Sequence, residues 1–176
     1  SNGWWNKILP ADFDNDGDMD FILGNLGVNA QIKADELHPA RLYYSDIDKN
    51  GSLDPIITFF IDGVSYPFPY LDDLISQVPS LRKKYLYYKD YASATIESLM
   101  PDNSTENVPV VFANKFQSVV LKNEGKRLLL VDLPIQAQFS PTYSILRTDA
   151  NKDGWDDLIL TGNLTQTRVR FGRYDA

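Results

Sequence analysis

The stretch DFDNDGDMD, residues 12–20, places acidic side chains at alternating positions around a single glycine. The same template returns as DIDKNGSLD at residues 46–54 and as DANKDGWDD at residues 149–157. In each copy, Asp or Asn fills positions 1, 3 and 5, Gly fills position 6 and Asp fills position 9. Three copies with one internal spacing indicate a repeated structural unit rather than a chance run of polar residues. We call them the first, second and third loops.

The residue types of the template point to a metal site. Oxygen ligands at positions 1, 3, 5 and 9 of a tight turn are the donors that Ca²⁺ prefers, and position 7 can add a backbone carbonyl. Glycine at position 6 permits the sharp bend that turns alternate side chains inward. Ten of the 24 acidic residues of the chain fall at the four side-chain positions, where they repel one another unless a cation lies between them. The sequence therefore predicts up to three Ca²⁺ sites.

The loops allow two other interpretations. An EF-hand requires Glu at position 12 and helices on both sides, but position 12 is Leu23, Ile57 and Leu160. The runs that flank the loops are apolar and β-prone, so each loop is predicted to join two strands. The remaining alternative is a set of plain turns, since Asp, Asn and Gly are common between strands.

Composition limits the class of protein. The chain has 176 residues, of which 43% are hydrophobic and 12% aromatic, so one globular core is expected. It has no cysteine, which excludes disulfides and thiol catalysis. A net charge of −7 disfavours nucleic acid as a partner. No apolar run is long enough for a transmembrane segment.

Outside the loops, the pattern predicts strands interrupted by a helical region. Asp62 and Gly63 are typical of a two-residue hairpin turn. A short helix is predicted over 71–77, and a longer one over about 81–100, where apolar residues follow helical spacing. Strands resume after this region, and the last is predicted over 167–172. The predicted fold class is mainly β, with a helical insertion.

The loops, the apolar strands after them and the Gly-Asn-Leu sequence at 24–26 and 162–164 resemble FG-GAP and VCBS repeats. These repeats build calcium-binding β-propellers of the integrin α-subunit type. Other stretches resemble the C-terminal propeller part of bacterial VCBS proteins, which are related to the ASPIC/UnbV and cartilage acidic protein families. Those stretches are residues 3–6, 72–79, 81–85, 91–97 and 172–175.

The resemblance implies a partial β-propeller of about three blades with unpaired sheet edges. Residues 3–69 would form two repeat blades, 70–107 a helical insertion and 108–176 the third repeat blade, all within one propeller fragment, 1–176. The rest of the parent propeller would then be a partner of this fragment. By the family pattern, Ca²⁺ would bind at the turn between the first two strands of each blade.

The same resemblance assigns the metal ligands residue by residue. Positions 1, 3, 5 and 9 would give side chains and position 7 a carbonyl. In the first loop the implied ligands are Asp12, Asp14, Asp16, Asp18 and Asp20. In the second they are Asp46, Asp48, Asn50, Ser52 and Asp54. In the third they are Asp149, Asn151, Asp153, Trp155 and Asp157.

The leading functional hypothesis is a non-enzymatic, calcium-stabilised propeller module used for adhesion or partner binding. The bound ligand would be a protein or a carbohydrate, which the sequence does not identify. Calcium loops of this kind favour an extracellular or cell-surface protein, with the periplasm as a further option. Two alternatives are the propeller module of a carbohydrate-active enzyme and a purely architectural spacer.

Few other residues suggest chemistry. His38 is the single histidine, and no Ser or Cys constellation accompanies it, so a solvated loop histidine is favoured over a catalytic one. The basic residues 82–84 and the nearby tyrosines would form either a ligand platform or an ordinary amphipathic helix, and the second is favoured. The four glutamates show no pairing of the kind that glycoside hydrolysis needs.

Overall fold

The computed structural model describes residues 2–165, 167 and 172. Strands hold 33% of the described residues and helices 14%, so the predicted mainly β class is confirmed. The chain divides into two compact units. The inserted unit comprises Ser1–Asn2 and Ile32–Asn114, and the discontinuous unit comprises Gly3–Gln31 and Lys115–Ala176.

The strands of the described residues are numbered in chain order. They are β1 (Lys7–Ala11), β2 (Asp20–Gly24), β3 (Ala40–Ser45), β4 (Asp54–Ile61), β5 (Val64–Pro67), β6 (Val110–Ala113), β7 (Val119–Asn123), β8 (Leu128–Asp132), β9 (Ser144–Thr148) and β10 (Asp157–Thr161). The α-helices are α1 (Leu71–Gln77), α2 (Tyr88–Tyr91) and α3 (Ile96–Leu99), and 3₁₀ turns span Pro79–Lys83 and Ile135–Gln138. The strand predicted over 167–172 lies, apart from its two end residues, outside the described residues.

The inserted unit is built on a four-stranded antiparallel sheet with the strand order β5-β4-β3-β6. One apolar cluster joins this sheet to the helices. Ile56 of β4, Leu74 of α1 and Leu99 of α3 belong to it, and none is more than 1% exposed. This cluster is the core of the unit, because burial of such side chains supplies most of the favourable free energy of folding.

The hairpin between β4 and β5 has the predicted two-residue turn. Ile61 pairs with Val64, so only Asp62 and Gly63 lie between the strands. Both have positive φ angles, 49° and 79°, as a type I′ turn requires. The short helix predicted over 71–77 is also confirmed, since it is α1.

The single long helix predicted over 81–100 is wrong. The chain there forms short helical turns, and its backbone is extended at Tyr87 and Thr95, just before α2 and α3. Aromatic and β-branched residues are weak helix formers, and the packing of Ile96 and Leu99 into the core is achieved by a separate turn. None of the helices in the described residues has the length and apolar content to cross a membrane.

The discontinuous unit contains a four-stranded antiparallel sheet, β1-β2-β7-β8, and the hairpin β9–β10. Strands β1 and β2 are neighbours in sequence, whereas β7 lies far along the chain and pairs Val119 with Leu23. Ala11, Ile22 and Ile145 form the buried centre of this unit. No sheet of the described residues closes on itself.

Asn25, in the first Gly-Asn-Leu sequence, is a fully buried polar link in this unit. Its Oδ1 accepts the N–H groups of Trp4 and Leu26 at 3.0 and 2.9 Å. Its Nδ2 donates to the carbonyls of Lys115 and Gln117 at 2.9 and 3.1 Å. The side chain thereby satisfies its own polar atoms and fixes the segment that leads into β7.

We expect Leu74→Ala to lower the free energy of unfolding of the inserted unit by about 2–5 kcal/mol, because it leaves a cavity in the core. The matched control is Leu86→Ala, at a side chain that is 71% exposed, with an expected change within about 0.5 kcal/mol. Urea denaturation measures both, and equal losses would contradict this assignment of the core.

Candidate metal centres

Each loop joins two neighbouring antiparallel strands in the same register. The first loop connects β1 to β2, the second connects β3 to β4, and the third connects β9 to β10. The prediction that every loop closes a β-hairpin is confirmed. In each hairpin the position 9 aspartate pairs with the residue just before position 1, namely Ala11 with Asp20, Ser45 with Asp54, and Thr148 with Asp157.

The aspartate at position 1 holds each loop closed through two backbone donors. One of its oxygens accepts the N–H of position 5 and the other accepts the N–H of position 6. The distances are 3.2 and 3.1 Å in the first loop, 2.9 and 2.8 Å in the second, and 3.1 and 3.0 Å in the third. The shared sequence template therefore produces a shared turn geometry.

The backbone is left-handed at positions 4 and 6 of every loop. The position 6 glycines Gly17, Gly51 and Gly154 have φ angles of 92°, 90° and 89°. A Cβ atom on any of them would meet no atom within 4 Å. Glycine is thus required at position 6 by the backbone conformation and not by lack of space.

The aspartate at position 9 anchors the loop to the strand that follows. Its Oδ2 accepts the N–H of position 2 at 3.0 Å in the first loop, 2.9 Å in the second and 3.0 Å in the third. Asp20 and Asp54 are 0% and 2% exposed. These two loops therefore place a carboxylate among buried groups, where an unbalanced charge is costly.

In the first and second loops, the carboxylates at positions 1, 3 and 9 converge. One oxygen from each lies within 4.8 Å of the other two. The position 3 residues, Asp14 and Asp48, each bury Oδ1 with no hydrogen-bond partner. Buried polar atoms are almost always paired, and a cation is the partner that suits three converging carboxylates. Both clusters can therefore hold a metal ion.

The electrostatics of the two clusters differ. In the second loop, burial raises the pKa of Asp54, and the charges of Asp48 and Asp46 raise it further. In the first loop, a hydrogen bond from Lys122 lowers the pKa of Asp14. The second loop thus keeps its repulsion between like charges, whereas the first has part of it offset by a lysine.

The third loop has the same backbone turn but a different arrangement of side chains. Asn151 donates its Nδ2 to Oδ2 of Asp153 at 2.8 Å. Asp156, at position 8, accepts from Nε of Arg147 at 3.1 Å. Within the described residues, three converging carboxylates are found in the first and second loops and not in the third.

Positions 5 and 7 interact with each other inside the loop. The side-chain oxygen of position 5 accepts the N–H of position 7, at 2.9 Å from Asp18 to Asp16 and at 2.8 Å from Ser52 to Asn50. Asp153 accepts the N–H of Trp155 in the same way, at 2.8 Å. That positions 5 and 7 bind the metal stays a prediction. The same holds for the complete set of fifteen ligands that the family resemblance implies.

Two residues of β7 contact the first loop, and sequence reasoning missed both. Lys122 Nζ lies 2.8 Å from Asp14 Oδ2, and the N–H of Asn123 donates to Asp20 Oδ1 at 2.7 Å. Asn123 is 103 positions from Asp20 in the chain. The β-prone run before these residues signals a strand, but no local pattern shows which strand it pairs with.

The single histidine belongs to a small surface concavity in the inserted unit. His38 Nδ1 lies 3.2 Å from Asp35 Oδ1, and its ring packs edge-on against Phe60 with centroids 5.1 Å apart. The lining consists of these three residues with Lys33, Ala34, Asp62 and Gly63. Since no Ser, Thr or Cys is among them, the concavity does not support a nucleophile–histidine pair.

Comparisons of the sequence with family models and curated proteins, and of the fold with solved structures, found no match. The resemblance to FG-GAP and VCBS repeats therefore rests on the motifs of this chain alone. To those motifs the structure adds two converging carboxylate clusters, each at the turn of a β-hairpin.

We expect Asp48→Asn and Asp54→Ala to separate metal binding from loop stability. Asp48 Oδ1 has no partner, so Asp48→Asn in EDTA should change the free energy of unfolding by less than about 0.5 kcal/mol. It should nevertheless weaken Ca²⁺ binding by about tenfold or more, because one ligand charge is lost.

Asp54→Ala should be destabilising even in EDTA, by about 1–3 kcal/mol, because the buried N–H of Ile47 loses its acceptor. Urea denaturation and calorimetric titration with Ca²⁺ measure the two effects. If Asp48→Asn cost as much stability in EDTA as Asp54→Ala, the distinction between the two carboxylates would be wrong.

Proposed function

We propose that this chain is a non-enzymatic, calcium-stabilised β-propeller module of a secreted or cell-surface protein, used for adhesion or partner binding. The observation that carries the metal-binding part is the convergence of three carboxylates in each of two loops. In both, the position 3 aspartate contributes a buried oxygen that has no other partner.

Calcium is the cation that the donor set fits best. Each cluster offers carboxylate oxygens alone, with no His or Cys among its members, which favours a hard cation over zinc or copper. The loops are turns with backbone carbonyls and further side chains nearby, so they can supply the six to eight oxygens that Ca²⁺ takes. Mg²⁺ demands a tighter octahedral arrangement and keeps more of its water.

A structural role follows from where the clusters lie. Positions 1 and 9 frame the turn of a hairpin, so a bound cation, by offsetting their repulsion, would hold two strand ends together. At a free Ca²⁺ concentration 100 times the Kd, each site adds about 2.7 kcal/mol of stability. Extracellular modules commonly bind Ca²⁺ with Kd values on the order of 10⁻⁴–10⁻³ M, and sites of that affinity would be filled at the proposed location.

The propeller architecture is supported by the repetition of one hairpin. All three loops close a pair of antiparallel strands in the same register, and two of these pairs lie in four-stranded antiparallel sheets. Propeller blades are four-stranded sheets of this kind.

The partner-binding role is supported by an apolar sheet edge. Strand β8 is the edge strand of its sheet. Its four apolar side chains, which belong to Leu128, Leu129, Leu130 and Val131, are 38–56% exposed. An exposed apolar edge strand offers both unpaired backbone groups and hydrophobic surface, as surfaces that meet another protein do.

We expect millimolar Ca²⁺ to raise the unfolding temperature of the EDTA-treated protein by at least about 5 °C, because each filled site adds stability by mass action. Mg²⁺ at the same concentration is the control and should give a smaller shift. Melts that are identical in EDTA and in Ca²⁺ would contradict the proposal.

The third loop provides its own spectroscopic reporter. Trp155 at position 7 is 55% exposed, and an indole at this position would sensitise the luminescence of Tb³⁺, which takes oxygen ligands as Ca²⁺ does. Because the third loop has an amide, Asn151, where the other two loops have the position 3 carboxylate, we expect its signal to need more Tb³⁺ than the thermal stabilisation from the other two loops. Trp155→Phe should abolish the signal and keep the stabilisation, and a signal that survives this substitution would be inconsistent with metal in the third loop.

A further inference from the structure

Lys122 is a cation built into the wall of the first loop. Its Nζ lies 2.8 Å from Asp14 Oδ2, and the two side chains are 36% and 33% exposed. Asp14 therefore uses one oxygen for the lysine, while its Oδ1 is the buried atom without a partner. A single carboxylate thus faces the lysine with one oxygen and the cluster with the other.

The position of Lys122 is fixed by the sheet. Strand β7 pairs with β2, which begins at Asp20, and the N–H of Asn123 donates to the carboxylate of Asp20 at 2.7 Å. The end of β7 is therefore tied to position 9 of the first loop. Lys122 precedes Asn123 in β7. Because Asn123 is held at position 9 of the first loop, Lys122 is held beside Asp14 at position 3.

The second loop has no equivalent cation. Across the described residues, Asp46, Asp48 and Asp54 form no salt bridge. Asp46 and Asp54 instead accept backbone N–H groups from within their own loop. The first and second loops share one turn geometry and differ in whether a lysine contacts the position 3 aspartate.

The loops also differ at position 5, where the first loop carries one carboxylate more. The first loop has Asp16 where the second has Asn50. The side chains at positions 1, 3, 5 and 9 therefore carry a formal charge of −4 in the first loop and −3 in the second. The Lys122 ammonium offsets the one extra charge at these four positions. Asp18 at position 7 of the first loop and Lys49 at position 4 of the second keep the first loop the more negative of the two. A lysine ammonium is charged at neutral pH.

We propose that Lys122 lowers the metal affinity of the first loop, as an internal counter-charge that offsets Asp16. The inference rests on the proposed calcium-binding function. Lys122 is a tuning residue and not a ligand, because an ammonium has no lone pair to give to a cation. It acts by repulsion of the incoming ion and by competition for Asp14.

The consequence is that the first loop fills at a higher Ca²⁺ concentration than its carboxylates alone would set. Carboxylate count alone would make the first loop the tighter one, because ligand charge tunes calcium affinity. With the lysine in place, the first loop loses part of that advantage over the second.

The test follows each loop separately by NMR of isotope-labelled glycine amides during Ca²⁺ titration of the full chain. Gly17 and Gly51 donate to the position 1 aspartates of the first and second loops, so their amide shifts report the two loops. Gly27, whose N–H donates to the carbonyl of Phe116 at 2.8 Å, reports that the discontinuous unit remains folded.

Lys122→Met should shift the Gly17 titration to about tenfold lower Ca²⁺ or more, because a unit charge beside the site is removed. The Gly51 titration should not move. Lys126→Met is the matched control, since it removes the same charge from an exposed site on the turn after β7, and it should leave both titrations in place. Lys122→Arg keeps the positive charge, so its Gly17 midpoint should stay near that of the wild type.

The double variant Asp16→Asn with Lys122→Met tests the balance of charge and should return the Gly17 midpoint towards that of the wild type. If Lys122→Met leaves the Gly17 midpoint unchanged or raises it, Lys122 does not tune the loop. If the double variant binds as tightly as Lys122→Met alone, the compensation with Asp16 is wrong. If neither Gly17 nor Gly51 responds to Ca²⁺ in the wild type, the proposed function itself fails, together with this inference.

Should Lys122→Met disturb the Gly27 amide in the absence of Ca²⁺, Lys122→Gln, which retains a polar end near Asp14, takes its place with the same expected shift. A Gly17 midpoint at lower Ca²⁺ then supports the inference, and an unchanged or higher midpoint overturns it.

Discussion

The carboxylate at position 1 of each loop is the constraint on which the hairpins depend. It accepts two consecutive backbone N–H groups, from positions 5 and 6, and so forces the chain to reverse within a few residues. Backbone donors in a tight turn have few other partners, and an unpaired N–H group is costly. This one interaction brings the side chains of positions 3 and 9 towards position 1.

That geometry has an electrostatic consequence. The same bonds that close the turn gather like charges, and in the first two loops the position 9 carboxylate is buried as well. The first loop offsets part of the repulsion with Lys122, whereas in the second loop burial and neighbouring charges raise the pKa of Asp54. In both, a buried oxygen of the position 3 aspartate has no hydrogen-bond partner among the described residues. The proposed Ca²⁺ would remove this cost, so the turn chemistry and the proposed structural role have one physical origin.

The two compact units show how a repeated motif is placed in different surroundings. The second loop belongs to a sheet in which β3, β4 and β5 follow one another in sequence and whose core is shared with helices. The first loop belongs to a sheet that takes β7 and β8 from a distant part of the chain. The side chains that surround a loop are therefore supplied by its neighbours in the sheet, and identical turns acquire different electrostatic environments.

Local chemistry was enough to predict the parts of the fold that local interactions decide. The three hairpins, the two-residue turn at Asp62 and Gly63 and the helix α1 could be predicted because glycine, turn residues and short-range hydrogen bonds act over a few positions. Local chemistry did not exclude the single helix predicted over 81–100, which the structure lacks. Its apolar spacing was compatible with one helix, but the core of the inserted unit takes Leu81 and Ile96 from separate turns.

The sequence by itself determined the three turns, their glycines and the acidic side chains that they gather, because these depend on the order of residues within nine positions. The tertiary structure alone decided that β7 pairs with β2, that Lys122 faces Asp14 and that Asn123 holds Asp20. Pairing between distant strands depends on the packing of the whole sheet, which no local pattern of residues encodes.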